Sequence, residues 1–330
     1  MRIFLGVYMV HSKQQDLSLM LQHFIQELRP FLEMQINEII FNGPYVLYLV
    51  KGSQTQRVEN ARFDERFLLN FCEQLATYRH QRFDLNHPKL STSIPFTQYR
   101  VNAIHPSVTA NHTIAINIRI PHAFKFPIDA FQLGKKCLER QINYADFTNL
   151  VKQGKNILVS GGTASGKTSF VNCLIESIPS HERVISIEDS PELKISNENK
   201  VSIIVGKNED THYTYEDALN SAMRMSPDRL LLGEIDTRNV ALFLRLANTG
   251  HSGMISTLHA NSVEDAFLAI GMNIKIGSGK DISMEALLDF FIAGIDVIIQ
   301  IIRKDHLRVI EDVLDVKKDL RKLMVRTHAS

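Results

Sequence analysis

The chain has little of what marks several common protein classes. It has three cysteines, Cys72, Cys137 and Cys173, with no C-x-x-C spacing, which argues against a zinc site or a disulfide framework and fits a reducing compartment. The formal net charge is only +1, so the chain as a whole has no general attraction for nucleic acid or lipid. No apolar run approaches the roughly 20 residues of a membrane span.

What remains is the composition of an ordinary folded protein. Of the 330 residues, 44% are hydrophobic and 22% are charged, which excludes a disordered chain, and the length suffices for two domains. Residues 1–10 are apolar, but they are short for a signal peptide and have no small-residue cleavage site. We interpret them as soluble chain or a frayed strand.

The first third of the chain predicts a small α+β domain, residues 1–126. Apolar residues at helical spacing indicate two helices, and Pro30 indicates that the first stops near that residue. The turn Asn42-Gly43 lies between two apolar runs and predicts a hairpin. The expected elements are helices over residues 17–31 and 63–78 and strands over 36–41, 45–50, 98–104 and 113–120.

The rest of the chain predicts an α/β domain, residues 136–330, after a linker over 127–135 that contains Pro127 and shows no period. Apolar strands alternate with helices there, which indicates a sheet covered on both faces. Ligands of such sheets bind beyond the carboxyl ends of the strands. The expected strands are 156–160, 183–187, 200–205, 230–232, 254–258, 296–302 and 307–313; the expected helices are 136–151, one from the loop to 178, 215–225, 237–248, 263–272 and 284–291.

One stretch organises this domain, the glycine-rich run after the strand at 156–160. It matches the phosphate-loop pattern G-x-x-x-x-G-K-[ST], between a strand and a helix as the motif requires. The glycines let backbone N–H groups face a phosphate chain, to which the helix adds its positive end. Lys167 can reach the β- and γ-phosphates of ATP, and the Thr168 hydroxyl can bind Mg²⁺. The run reads Gly161-Gly162-Thr163-Ala164-Ser165-Gly166-Lys167-Thr168-Ser169.

Three other strands end in polar residues, which we expect to surround the γ-phosphate. Glu188 and Asp189 follow the strand at 183–187, Glu234 follows the strand at 230–232, and His259 follows the strand at 254–258. Phosphoryl transfer to water needs a metal, charge neutralisation and a group that orients the water. We assign Glu234 to the metal as the Walker B residue, Glu188 to the attacking water and His259 to the γ-phosphate. The alternative for each carboxylate is a solvated turn or a helix cap, and the alternative for His259 is a structural hydrogen bond.

Four motifs in this order resemble the bacterial ATPases of the type II/type IV secretion superfamily, and most closely the VirB-type traffic ATPases of type IV secretion and conjugation. They correspond to that family's Walker A, acidic, Walker B and histidine boxes, and the likeness extends over nearly the whole chain, including residues 37–43 and 117–121. The motifs are the phosphate loop, the run Arg183-Val-Ile-Ser-Ile-Glu-Asp189, the run Met223-Arg-Met-Ser-Pro-Asp-Arg-Leu-Leu-Leu-Gly-Glu234 and the run Thr249-Gly-His-Ser-Gly-Met-Ile-Ser-Thr-Leu-His-Ala260.

The resemblance implies a RecA-like ATPase domain in a cytoplasmic homohexameric ring that uses ATP and Mg²⁺ at the inner-membrane part of a type IV secretion machine. It also implies that Arg119 and Arg100 of the N-terminal domain reach the phosphates, with a surface salt bridge as the alternative for both. Two positions depart from the family pattern. Asp236 stands where an arginine is usual, and Ser226 replaces the arginine of Arg-Pro-Asp-Arg. These departures leave a local arginine contact open but not nucleotide binding.

Other functions remain as alternatives. A scaffold that binds ATP with little turnover is one, but Lys167, Thr168, Glu188 and Glu234 together favour hydrolysis. A type II secretion or pilus motor is another, although that branch often has a four-cysteine zinc module that this chain cannot form. A DNA helicase gains no support from the charge balance, and fold analogy alone is weak.

Overall fold

The computed structural model describes residues 17–52, 54–120, 126–205, 213–248, 250–279, 281–305 and 307–327, with side chains up to residue 322. The described chain divides into two compact units, residues 17–120 and residues 126–327. The expectation for residues 1–10 lies outside the described part. Each unit is considered by itself.

The N-terminal unit is one antiparallel sheet with two helices, in the strand order β3-β2-β1-β6-β5-β4. Its hydrophobic core lies between the sheet and the helices. The elements are α1 (Leu19–Leu32), β1 (Glu38–Phe41), β2 (Val46–Lys51), β3 (Gln54–Glu59), α2 (Glu65–Tyr78), β4 (Lys89–Ser93), β5 (Arg100–Ile104) and β6 (Ala115–Arg119).

The helices of this unit begin at side-chain caps. The Ser18 hydroxyl accepts a hydrogen bond from the Leu21 N–H at 3.1 Å, and the Asp64 carboxylate accepts one from the Phe67 N–H at 2.6 Å. The helix α1 ends at Leu32, which confirms that it stops near Pro30. A proline in the last turn removes one hydrogen bond, and the buried Leu32 keeps the turn against the core.

The predicted hairpin and the alternating strand are both present. β1 and β2 pair antiparallel around the Asn42-Gly43 turn. In and beside β6, the apolar side chains of Ile114, Ile116, Ile118 and Ile120 are buried, whereas Arg119 is exposed. The edge strands β3 and β4 were not predicted, because their sequences are mostly polar and lack the apolar alternation that marks a half-buried strand.

The C-terminal unit is an eight-stranded sheet in the order β10-β9-β11-β12-β8-β13-β14-β7. All neighbouring pairs are parallel except β13 and β14. The strands are β7 (Phe131–Leu133), β8 (Ile157–Gly161), β9 (Val184–Glu188), β10 (Lys200–Ile204), β11 (Arg229–Leu232), β12 (Ile255–His259), β13 (Val297–Lys304) and β14 (Leu307–Asp315). The helices are α3 (Lys135–Glu139), α4 (Tyr144–Lys152), α5 (Lys167–Ile175), α6 (Tyr215–Met223), α7 (Val240–Ala247), α8 (Val263–Ser278), α9 (Met284–Gly294) and α10 (Val316–Thr327).

Two predictions at the start of this unit were wrong. The expected linker over residues 127–135 contains β7, whose Phe131 is fully buried. The single helix expected over 136–151 is two helices, because Gln141 has a φ of 57° and ends the first. Asn143 then caps the second through a hydrogen bond from Ala145 N.

Helices cover both faces of the parallel strands, as the apolar runs predicted. Strands β8, β9 and β11 are buried along their whole length. Within the described ranges, no helix is both long and apolar enough to cross a membrane. The fold therefore aligns the carboxyl ends of β9, β11, β12 and β8 as neighbours at one edge of the sheet.

Candidate active site

The phosphate loop joins the buried strand β8 to α5. Gly161 ends the strand so close to β13 that a Cβ added there would lie 2.3 Å from the Ile301 carbonyl oxygen. Gly166 has a φ of 104°, which only glycine adopts readily, and is the N-cap of α5. The pattern G-x-x-x-x-G thus has a steric reason at its first glycine and a conformational reason at its second.

Lys167 folds back over this loop. It is only 7% exposed, and its Nζ donates hydrogen bonds to the carbonyl oxygens of Gly161 at 2.8 Å and of Gly162 at 2.9 Å. The same Nζ lies 3.2 Å from Nδ1 of His259, at the end of the neighbouring strand β12. The lysine is therefore held within the loop that it is expected to serve.

His259 links this lysine to the predicted Walker B carboxylate. Its Nε2 lies 2.9 Å from Oε1 of Glu234, which follows β11. Because an ammonium group can only donate, Nδ1 of His259 is the acceptor, and the proton on Nε2 is donated to Glu234. The structure thus brings three predicted residues, Glu234, His259 and Lys167, into one hydrogen-bonded chain.

Glu188 lies farther along the same edge. In the strand order, β11 and β12 separate its strand β9 from β8, a lateral distance of about 14 Å at the usual strand spacing. Its Oε1 accepts hydrogen bonds from the backbone N–H groups of Glu192 and Leu193, each at 2.8 Å. Burial raises the pKa of Glu188 to about 7, although the two backbone hydrogen bonds oppose the rise. Such a carboxyl group can exchange a proton near neutral pH.

The remaining loop residues fit an anion. Thr163 and Ala164 are exposed at its tip, Ala164 with a φ of 58°, and Thr168 and Ser169 are half-buried in the first turn of α5. The Ser165 hydroxyl is buried and has no hydrogen-bond partner among the described residues. Unpaired N–H groups at a helix N-terminus and an unsatisfied hydroxyl are groups that a phosphate can satisfy.

An arginine that the sequence analysis did not assign lies among the acidic groups. The guanidinium of Arg238 donates from Nε to Asp236 at 2.8 Å and lies 4.0 Å from Asp189. It also covers the Tyr215 ring, 4.9 Å from its centroid. Asp236, where the family pattern has an arginine, thus has an arginine bound to it. The sequence contains a signal for this contact, because Arg238 follows Asp236 by two residues.

The second departure from the family pattern, Ser226, lies in another part of the unit. Ser226 occupies a turn before the amino end of β11, with a φ of 50°, and so lies away from the edge that holds the loop. In the same region Arg229 is buried and paired with Glu182. The replacement at Ser226 therefore does not affect the groups around Lys167.

Arg100 and Arg119 belong to the N-terminal unit, where the structure brings them together. They are directly paired across β5 and β6, and Arg119 also pairs with Glu38 of β1. Two like charges at opposed positions repel each other. Glu38, Arg119 and Arg100 thus lie side by side on one face of this sheet.

Known proteins with similar sequences agree with this architecture. A family model described as Type II/IV secretion system protein matches residues 89–304. The type IV secretion system protein VirB11 of Bartonella quintana (strain Toulouse) is 30% identical over 315 residues, which cover 84% of this chain and 87% of that protein.

Two solved structures show the same fold. The pilus retraction motor PilT with bound ADP has a TM-score of 0.63 at 20% identity, covering 92% of this chain and 86% of that one. The ATPase DotB of Legionella pneumophila has a TM-score of 0.58 at 16% identity, covering 94% and 84%. At these identities the likeness shows a RecA-like domain with an N-terminal domain and nothing finer. The family match over more than half of the chain, together with the 30% identity to VirB11, establishes that this P-loop ATPase belongs to the type II/IV secretion system protein family and is of the VirB11 type, which serves type IV secretion.

Proposed function

We propose that the chain hydrolyses Mg²⁺-bound ATP at the phosphate loop and transmits the resulting domain movement to a type IV secretion machine. The observation that carries this proposal is the chain of contacts from Glu234 through His259 to Lys167. It places a carboxylate, a proton-bearing imidazole and a cation at adjoining strand ends beside a complete phosphate loop. Turnover, rather than binding alone, needs this set of groups.

Thr168 and Glu234 are the residues that would hold the Mg²⁺ ion. The described residues contain no group of three or more His, Cys, Asp or Glu side chains that could hold a metal by themselves. Mg²⁺ sites of nucleotide enzymes need no such group, since one or two protein oxygens and the phosphates complete the coordination. The ion would neutralise charge on the phosphates when bound.

Glu188 is the residue that we assign to the attacking water. Its pKa of about 7 gives it both protonation states near neutral pH, as a general base requires. We assign His259 to detection of the γ-phosphate, because a phosphate that binds Lys167 would remove the partner of Nδ1. Lys167 exchanges carbonyl oxygens of the loop for phosphate oxygens in the same step.

Arg119 and Arg100 would supply further positive charge to the phosphates. A guanidinium group stabilises phosphate charge only when it is held in place, so such a contact would couple hydrolysis to the position of the N-terminal unit. A homohexameric ring, a cytoplasmic location and a position at the inner-membrane components of the secretion machine complete this proposal, and all three come from the family.

The test is an ATPase assay combined with the mass of the assembly, each with and without Mg²⁺ and ATP. We expect Mg²⁺-dependent turnover by a ring in the wild type and none in Lys167→Ala, because no other cation in the loop replaces that ammonium. Glu188→Gln is expected to bind ATP and fail to hydrolyse it. A monomer that binds ATP without turnover would instead support the scaffold, and full activity in Lys167→Ala would refute the loop assignment.

A further inference from the structure

The hairpin formed by β13 and β14 places an arginine against the phosphate loop. β13 is the neighbour of β8 on the side opposite β12, so this arginine and His259 lie on opposite sides of the loop. A Cβ added to Gly166 would lie 2.7 Å from Cδ and 2.9 Å from Nε of Arg308. The arginine side chain therefore occupies the space that a larger residue at the N-cap of α5 would need.

The end of this side chain rests on an aromatic ring. The Arg308 guanidinium carbon lies 4.3 Å from the centroid of Phe126. Phe126 is tied to α5, because its carbonyl oxygen accepts a hydrogen bond from the Cys173 thiol at 2.9 Å. Cys173 also donates to the Ser169 carbonyl oxygen, one turn nearer the loop. The cation is thus held over the first turns of the helix.

Within the part of the chain that the structure describes, no anionic group compensates the charge of Arg308. Among the described residues, its guanidinium has no ion pair and no hydrogen bond, and its register partner on β13 is another cation, Arg303. Burial and the charge of Arg303 lower the pKa of Arg308. The nearby N-terminus of α5 and Lys167 add further positive charge. A half-buried arginine next to three positive features is costly unless an anion joins them.

We propose that Arg308 is a nucleotide-contacting residue that leaves the Phe126 ring and binds the phosphate chain of the nucleotide from the side opposite His259. This inference rests on the proposed function, since it assumes that the loop binds a nucleotide. The planar guanidinium group matches phosphate oxygens in a bidentate geometry. The ring of Phe126 holds the side chain beside the loop until the nucleotide is present, and the phosphate contact then replaces the contact with the ring.

The experiment is equilibrium binding of ADP and of ATP to the full chain by calorimetry. The variants are Arg308→Ala, Arg308→Lys, Phe126→Leu, Lys167→Ala and the control Lys304→Ala. Lys304 lies on the same hairpin, is exposed and directly follows Arg303. Its replacement therefore removes one positive charge from the hairpin, as Arg308→Ala does, without touching the loop. Each variant is first compared with the wild type by circular dichroism and thermal melting.

We expect Arg308→Ala to weaken binding of both nucleotides by about 10- to 100-fold, the loss of one or two charge-assisted hydrogen bonds. Lys304→Ala should stay within about twofold of wild type, and Arg308→Lys should keep part of the affinity because it keeps the charge. Phe126→Leu should not weaken binding, since the free arginine remains. The melting temperature of Phe126→Leu shows whether the loss of the ring disturbs the local packing.

Three results would overturn or redirect the reasoning. If Arg308→Ala and Arg308→Lys both bind like the wild type while Lys167→Ala does not, the inference is wrong and the proposed function stands. If Phe126→Leu loses the affinity instead of Arg308→Ala, the pair contacts the nucleotide base, and the phosphate contact is refuted. If Lys167→Ala binds normally, the proposed function itself fails, whatever Arg308 does.

Discussion

Glu188 makes the folded protein sensitive to pH in a direction that can be calculated. Its pKa rises from 4.5 to about 7 because the carboxyl group is buried. Between these values the folded protein keeps a proton that the unfolded chain has lost. The stability that this proton contributes is complete below pH 4.5 and is lost as the pH rises through 7. At about 1.4 kcal/mol for each pKa unit, the loss between pH 5 and pH 8 is about 2 to 3 kcal/mol.

Glu188→Gln isolates this contribution. Glutamine keeps the carbonyl oxygen that accepts hydrogen bonds from Glu192 and Leu193, but it has no proton to lose. We expect the variant to have a free energy of unfolding close to that of wild type at pH 5 and to exceed it by about 2 to 3 kcal/mol at pH 8. The measurement is urea unfolding at each pH, followed by far-ultraviolet circular dichroism.

The control is Glu198→Gln, which removes one carboxylate from the same connection between β9 and β10. Glu198 is exposed, so its loss is expected to leave the pH dependence of the wild type unchanged. A constant difference between Glu188→Gln and wild type from pH 5 to pH 8 would show that Glu188 is solvated. The assignment of Glu188 as a general base would then lose its physical basis, because its pKa would no longer lie near neutral pH.

Three further predictions concern sites with clear contacts. Gly161→Ala should destabilise the protein by about 1 to 3 kcal/mol, because its Cβ would overlap a β13 carbonyl group. The control Gly162→Ala should melt like the wild type, because a Cβ there would meet no heavy atom within 4 Å. Equal melting temperatures for the two variants would contradict the predicted overlap. Glu182→Gln should cost about 3 to 5 kcal/mol in urea unfolding, since it leaves the charge of Arg229 buried without its partner, and a loss under 1 kcal/mol would disprove the pairing's importance. Arg119→Ala should slow ATP hydrolysis and leave the melting temperature within a degree or two, because Arg119 is exposed; an unfolded variant would favour a structural salt bridge.

The elements that the sequence predicted are those whose burial follows a simple rule. Fully buried strands such as β8 and β9 are uninterrupted apolar runs, and β6 alternates between two faces. The missed elements follow no such rule. The charged helix α10 buries Val316 and Leu320 but is otherwise mostly polar, and β7 is a three-residue strand that gains its partner only from distant β14.

The candidate active site was also only partly predictable from the sequence. The polar residues at strand ends could be recognised along the chain, but the order of strands in the sheet could not. That order makes His259 the neighbour of the loop and leaves Glu188 three strands away. The raised pKa of Glu188 likewise depends on the burial of its carboxyl group in the folded chain. Chemistry was therefore predictable, whereas the distances between the chemical groups required the fold.

The contacts of Lys167 explain why the loop can hold so much positive charge. Its ammonium group is satisfied by two carbonyl oxygens and by His259, so the lysine resembles a cation already solvated by its own loop. Among the residues that the structure describes, Arg308 has only an aromatic ring in that role, and a ring compensates a cation far less than hydrogen-bond acceptors do. Binding a phosphate chain therefore replaces adequate partners at Lys167 and a poor one at Arg308. More of the net gain in binding energy should thus arise on the side of the hairpin than a motif-based view of the loop suggests.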